Sequence, residues 1–307
     1  MSNERCKLMD VPMDSYRLAR YAVPLACYVC ECENSLDDEL CRRCQAPLAL
    51  ARQAEGQKVR PQLLAVIGSS GAGKTVYLSM LIDMLSRRSS GLRVLARGAF
   101  SINLQQATIA ALRRCQFPEK TPNDPDRWHW VHCQVEAPRR RRPLDVIVPD
   151  VAGESILEEI DHPHTYPAIR ALLAKAAGAL VLLDGPRLES SKSGQDLFAL
   201  KLLEGFCEMA DPAHRGWHNR PVAVVFTKSD QCDACLTDPV AYAAHRLPAV
   251  ARLCQQRMRR HQFFACGVAG ACARQVHGLD GAIDVPLRIE PRGVIEPFEW
   301  LLRRVKG

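Results

Sequence analysis

A short apolar run, a glycine-rich turn and a helical stretch follow one another from residue 62, and few folds accept that order. Leu63-Leu64-Ala65-Val66-Ile67 has the composition of a buried strand, and Val76 to Leu85 that of the helix after it. Between them lies Gly68-Ser69-Ser70-Gly71-Ala72-Gly73-Lys74-Thr75. Gly68, Gly71 and Gly73 let the backbone wrap closely enough for its N–H groups to face phosphate oxygens, along a surface completed by Ser70, Ala72 and Val76. The helix N-terminus adds partial positive charge at the same spot. In that frame Lys74 would bridge the β- and γ-phosphates of a nucleotide, and the Thr75 hydroxyl would ligate Mg²⁺. The bland alternative is a glycine-rich turn with a surface lysine, and the flanking strand and helix weigh against it.

From Pro61 onward apolar strands alternate with amphipathic helices, which predicts an α/β domain with a mostly parallel sheet. Strands are expected at 62–67, 93–97, 128–136, 143–149, 178–184, 221–226 and 262–266, with helices at 74–88, 101–115, 166–177, 194–210, 240–260 and 296–305. The strands at 128–136 and 143–149 flank Arg139 to Arg142 and are expected to form an antiparallel hairpin. The chain divides into a lead-in (1–24), a cysteine-rich module (25–48), a polar linker (49–60) and the α/β domain (61–307).

Two further strand ends carry chemistry. Asp145-Val146-Ile147-Val148-Pro149 delivers Asp150, a carboxylate placed for Mg²⁺, and Gly153 two residues past Val151 can bring its N–H to a γ-phosphate. Pro221 to Phe226 delivers Thr227-Lys228-Ser229-Asp230. Asp230 there can accept from N1–H and the exocyclic amine of guanine together, a donor pair that adenine lacks. The Lys228 stem would lie along the base, and Thr227 would brace the loops. After a last apolar run, Ala265 is expected to offer its N–H to guanine O6, with Cys266 where serine is usual.

With these four segments in order, the chain resembles the TRAFAC-class GTPases and, within them, the bacterial double-GTPase families of GTPase-associated conflict systems. The resemblance covers about residues 61–307. It implies a Ras-like P-loop domain, GTP and GDP as ligands, Mg²⁺, and a switch threonine best matched by Thr121 in Phe117-Pro118-Glu119-Lys120-Thr121-Pro122. Many GTPases place glutamine after the sensor glycine to orient water; this chain has Glu154. A carboxylate adds negative charge near the γ-phosphate, so slow hydrolysis or dependence on a supplied arginine is expected. His162 and His164 could help to position water, but read more simply as exposed loop residues.

The chain has 14 cysteines among 307 residues, and five fall between Cys27 and Cys44. Cys27-x₂-Cys30 and Cys41-x₂-Cys44 are two knuckles that can turn four thiolates toward one Zn²⁺, with Cys32 as an alternative ligand. A metal would hold a module too small for a core of its own. Its acidic residues favour docking to protein over nucleic acid. Cys232 and Cys235 form a further knuckle without a matching pair, and read more simply as surface thiols.

With 41 basic and 34 acidic residues, the net charge of +7 is too mild for a uniformly basic nucleic-acid binder. The Arg139 to Arg142 run reads as a solvated hairpin tip, with an acidic partner as the alternative. No apolar run reaches the roughly 18 residues of a membrane span, and residues 1–10 hold no signal core, so a cytoplasmic location is expected. The leading expectation is a GTP-hydrolysing switch that signals to a protein effector or to a second component of such a GTPase system. The rival is a GTP-binding scaffold with little turnover, and a nucleic-acid-binding zinc protein is disfavoured.

Overall fold

The computed structural model describes residues 24–57, 61–86, 91–118, 129–136, 143–190, 194–209, 216–276 and 282–305. Thr121 and Arg139 to Arg142 lie outside them. The elements in chain order begin with β1 (Leu25–Ala26), β2 (Glu33–Asn34), α1 (Ala49–Gln57), β3 (Gln62–Gly68), α2 (Lys74–Ser86), β4 (Arg93–Arg97) and α3 (Gly98–Arg113). Next are β5 (His129–Glu136), β6 (Leu144–Asp150), α4 (Gly153–Asp161), α5 (Pro167–Lys175), β7 (Gly178–Asp184), α6 (Gly185–Leu188) and α7 (Gln195–Glu208). Then follow β8 (Val222–Thr227), α8 (Asp233–Thr237), α9 (Pro239–Arg246), α10 (Pro248–Arg257), β9 (His261–Ala265), β10 (Gly267–Val276), β11 (Ala282–Arg292) and α11 (Ile295–Arg304).

Seven strands form one sheet in the order β4-β5-β6-β3-β7-β8-β9. The four neighbouring pairs from β6 to β9 are parallel, and β5 runs antiparallel to both β4 and β6. Every residue of β6, β7 and β8 is buried, as strands covered by helices on both faces must be. Alternate residues therefore feed separate cores. Ala65, Ile67, Val181 and Val224 join the side that includes residues of α4, α5, α7 and α10, whereas Leu64, Val66, Leu180 and Val225 join the side with residues of α2 and α11. The parallel order brings the C-terminal ends of β3, β6, β7 and β8 to one edge, where a doubly covered sheet binds its ligands.

Helix punctuation follows local chemistry. The expected helix at 240–260 is instead α9 and α10, each starting on a proline, because Pro248 has no N–H to continue the ladder. Asp238 caps α9, accepting from Val240 N at 3.0 Å and Ala241 N at 2.9 Å, a device that typically contributes about 1 kcal/mol. Arg220 closes the end of α5 by donating to the Leu173, Ala174 and Ala176 carbonyls, with its guanidinium 5.1 Å from the Trp217 ring centre.

Residues 49–60, polar enough to suggest a linker, are helical over Ala49–Gln57. Leu48, Leu50 and Ala51 are buried, which gives this stretch an anchored face. Gln53 Oε1 lies 3.2 Å from His132 Nδ1, whose Nε2 is 3.1 Å from the buried Asp145. The cysteine-rich module packs on the α/β domain: Leu25, Val29 and Leu48 belong to the same core as Ile67, and Lys175 Nζ is 2.9 Å from Glu31. Tyr28 meets Trp130 edge-on with ring centres 6.0 Å apart.

Candidate functional site

The strand-to-loop-to-helix unit is built as the sequence requires. Gly71 and Gly73 adopt φ of 76° and 82°, which side chains disfavour, and the loop turns into α2 at Lys74. Lys74 is buried, and its Nζ donates to the Gly68 carbonyl at 2.7 Å. Burial pushes the Lys74 amine below its ordinary value, while Asp150 and then Glu154 draw it back up. Ser69 is tied to α7 through Gln195 Nε2, which donates to its Oγ at 2.7 Å.

Because β3 and β6 are adjacent and parallel, Asp150 ends beside the start of α2. Thr75 Oγ1 donates to Asp150 Oδ2 at 2.8 Å. A hydroxyl and a carboxylate oxygen so placed are the hard oxygen ligands that Mg²⁺ takes from a protein. Residues 153–161, for which no helix was anticipated, form α4, and Gly153 starts it against the glycine loop. A Cβ on Gly153 would collide with the Gly68 carbonyl, so only glycine fits there. Glu154 Oε1 accepts the Ser70 N–H at 3.0 Å. His162 and His164 are exposed, and the His164 N–H donates to Glu159 Oε1 at 2.9 Å.

At the end of β8, Thr227 Oγ1 donates to the Leu183 carbonyl at 3.1 Å and joins the ends of β7 and β8. Lys228 takes the left-handed conformation at φ 56° and places Nζ 2.7 Å from Asp184 Oδ2. Burial raises the Asp230 carboxyl above its ordinary value, with its own backbone N–H and Lys228 acting in the opposite direction.

These segments converge on one cavity of about 240 Å³. Its wall includes Ser70, Gly71, Gly73, Lys74, Thr75 and Val76 from the loop, Glu154, then Thr227, Lys228 and Asp230, and finally Cys266. Gly68, Ala72, Asp150 and Gly153 are not among the residues that line it. Ala265 does not line the cavity. It pairs in register with Phe226 as the last residue of β9, and the next residue, Cys266, lines the cavity. A Cβ on Gly267 would lie 2.9 Å from Asp230 Oδ1, so this glycine allows the close approach.

The β10–β11 hairpin was not legible in advance. It contributes Val268, Ala269, Cys272 and Asp284 to the cavity wall, and Phe117 and Pro118 close another side. Three register irregularities in β10 and the absence of strict alternation hid it from pattern reading. Cys232 and Cys235 are buried, not surface thiols, packed between the turn at 229–231 and α9. Cys235 Sγ donates to the Cys232 carbonyl at 3.0 Å, and neither cysteine joins a metal-ligand group among the described residues.

The Sγ atoms of Cys27, Cys30, Cys41 and Cys44 all lie within 4.8 Å of one another, with Cys27–Cys44 at 3.7 Å and Cys30–Cys41 at 3.4 Å. Four thiolates around a tetrahedral Zn²⁺ would stand about 3.8 Å apart, given Zn–S bonds of about 2.3 Å, so the set fits that ion. Contact with Cys44 draws the Cys27 thiol down to about 5, against the effect of burial. Cys32 Sγ turns instead toward the Glu33 carbonyl, 3.6 Å away.

The doubly covered sheet, the glycine loop on β3 and the strand ends at Asp150 and Asp230 define a P-loop GTPase fold with a small cysteine ribbon. The chain belongs to the Double-GTPase 2 family, whose model matches residues 62–272. No curated protein matches it significantly. Similar solved structures include nucleolar GTP-binding protein 1 of Plasmodium falciparum, at 12% identity and TM-score 0.34, covering 67% of this chain and 76% of that one. Era of Aquifex aeolicus bound to GDP·AlF4⁻ matches at 15% identity and TM-score 0.35, covering 80% and 57%. The S. cerevisiae Ski7 GTPase-like domain bound to GDP and inorganic phosphate matches at 13% identity and TM-score 0.36, covering 67% and 43%. No described helix is long and apolar enough to cross a membrane.

Proposed function

We propose that this chain binds GTP in the cavity between the glycine loop and Asp230, hydrolyses it, and presents a GTP-dependent surface to a protein partner. The observation that carries this reading is the single cavity wall shared by Lys74 and Thr75, which follow β3, and Thr227, Lys228 and Asp230, at the end of β8. The loop N–H groups and Lys74 would hold the phosphates, and Asp230 would accept from N1–H and the exocyclic amine of guanine. The backbone from Ala265 to Gly267 would supply the N–H for the O6 edge of guanine. Thr75 and Asp150 would hold Mg²⁺, which when bound neutralises charge on the β- and γ-phosphates. Gly153 at the start of α4 would report the γ-phosphate, with Thr121 as the switch threonine. The partner would be an effector or a second component of a GTPase system of the bacterial conflict type.

A scaffold that binds GTP with little turnover is the second reading, and one observation favours it. Glu154, in the place where water would be oriented, carries negative charge and is already engaged by Ser70 N. The deciding experiment is single-turnover GTP hydrolysis with Mg²⁺, beside Lys74→Ala. Turnover that drops at least about 100-fold in the variant supports the enzyme. Tight GTP binding without wild-type turnover supports the scaffold, and failure to bind GTP rejects both.

A further inference from the structure

Resting on that reading, we propose that Glu154 is a built-in surrogate for the γ-phosphate, so that the chain accepts GDP as it stands and admits GTP only when this carboxylate moves aside. Ser70 belongs to the loop whose N–H groups form the phosphate cradle, and its N–H is taken by Glu154 Oε1 at 3.0 Å. A hydrogen bond to an ionised acceptor is stronger than one between neutral groups, so this contact competes with an incoming phosphate oxygen.

The structure also supplies the place to which Glu154 can go. Glu154 and Ser70 line both the nucleotide cavity and an adjoining groove of about 450 Å³ between α4 and α7. That groove holds two cations, Arg187 and Lys201. Arg187 Nη1 donates to the Ser70 carbonyl at 3.0 Å, on the same loop residue whose N–H Glu154 occupies. Glu154 lies in the first turn of α4, and Gly153 is seated against the Gly68 carbonyl. Rotation of the Glu154 side chain alone carries the carboxylate from Ser70 N toward Arg187, with the helix start held in place. GDP leaves the γ-phosphate position empty and tolerates the first position. GTP brings a second anion to it and requires the other.

The test is competition with a fluorescent GDP, N-methylanthraniloyl-GDP, displaced by GDP or by GTPγS in the presence of Mg²⁺, using wild type, Glu154→Gln and Glu154→Ala. Both variants are expected to raise the affinity for GTPγS relative to GDP at least about tenfold, because like charges a few ångströms apart repel strongly near a protein surface. The inference requires that this change come from tighter GTPγS binding, with the GDP affinity read in the same titration as the reference. An unchanged ratio in both variants overturns the inference and leaves the GTPase reading intact. A matching loss of GDP and GTPγS affinity, with the melting temperature retained, also overturns it and makes Glu154 a prop for the loop. If the wild type binds neither nucleotide, the functional reading fails and takes this inference with it.

Discussion

Thr75 and Asp150 are 75 residues apart in the chain, yet the Thr75 hydroxyl donates to Asp150 Oδ2 at 2.8 Å. Adjacent parallel strands β3 and β6 put the two residues at one edge of the sheet. If the pair holds Mg²⁺, Thr75→Ala removes one ligand and leaves the loop N–H groups and Asp230 in place. GDP affinity measured with Mg²⁺ is expected to fall about tenfold or more, while affinity in EDTA changes little. Equal losses in both conditions would assign Thr75 to loop structure alone.

Much of this edge was legible because short motifs there are tied to the ends of apolar runs. Lys74, Asp150 and Asp230 each follow a strand that could be recognised from composition, and the parallel order then brings them together. Ala265 shows where such reading stops. Composition recognises the last apolar run, but only the fold shows that Cys266, the residue after it, lines the cavity. The β10–β11 hairpin failed for a different reason, since its bulged first strand lacks a clean two-residue alternation. Residues 49–60 misled because composition reports average polarity, whereas Leu50 and Ala51 alone suffice to anchor a helix. Cys232 and Cys235 are buried against Gly185 of α6, a neighbour distant in sequence that no local pattern announces.

Gly153 and Gly68 give a steric prediction. A methyl group at position 153 would drive α4 away from the glycine loop or distort the Gly68 peptide. Gly153→Ala is expected to lower the GTPγS affinity more than the GDP affinity if Gly153 reports the γ-phosphate as proposed. A cost of roughly 1–3 kcal/mol in stability should accompany it, read from denaturant unfolding. The nucleotide preference tests the proposed role of Gly153 as reporter of the γ-phosphate, and a variant with wild-type stability and wild-type preference would show that this close approach is not required.

Asp230 gives a prediction with a pH sign. It must be ionised to accept two hydrogen bonds from guanine, and burial raises its pKa above the ordinary carboxylate value. GDP affinity should therefore be full above that raised pKa and decline as pH falls through it, beginning at a higher pH than an ordinary aspartate would dictate. Asp230→Asn should bind GDP more weakly, lose much of the preference for GTP over inosine triphosphate, which lacks the exocyclic amine, and show a flatter acid limb. Titrations by fluorescence at several pH values measure all three effects. Retained discrimination in the variant would place the guanine reader elsewhere.

The cysteine ribbon shares its core with the α/β domain, so its metal should be felt throughout the fold. Leu25, Val29 and Leu48 are buried in the same cluster as Ile67, and full burial of such side chains contributes roughly 1.5–3 kcal/mol each. One zinc per chain is expected by elemental analysis, held by Cys27, Cys30, Cys41 and Cys44. Cys41→Ser, or a tight chelator, should release it and unfold the ribbon, because the binding energy of such an ion is largely folding energy. The melting temperature of the whole chain should then fall by more than about 5 °C, since each kcal/mol lost shifts a domain of this size by about 2–4 °C. GDP affinity at low temperature should survive, because no ribbon residue lines the nucleotide cavity. Absence of zinc together with an unchanged melting temperature would mean that the four thiols hold the ribbon by packing alone.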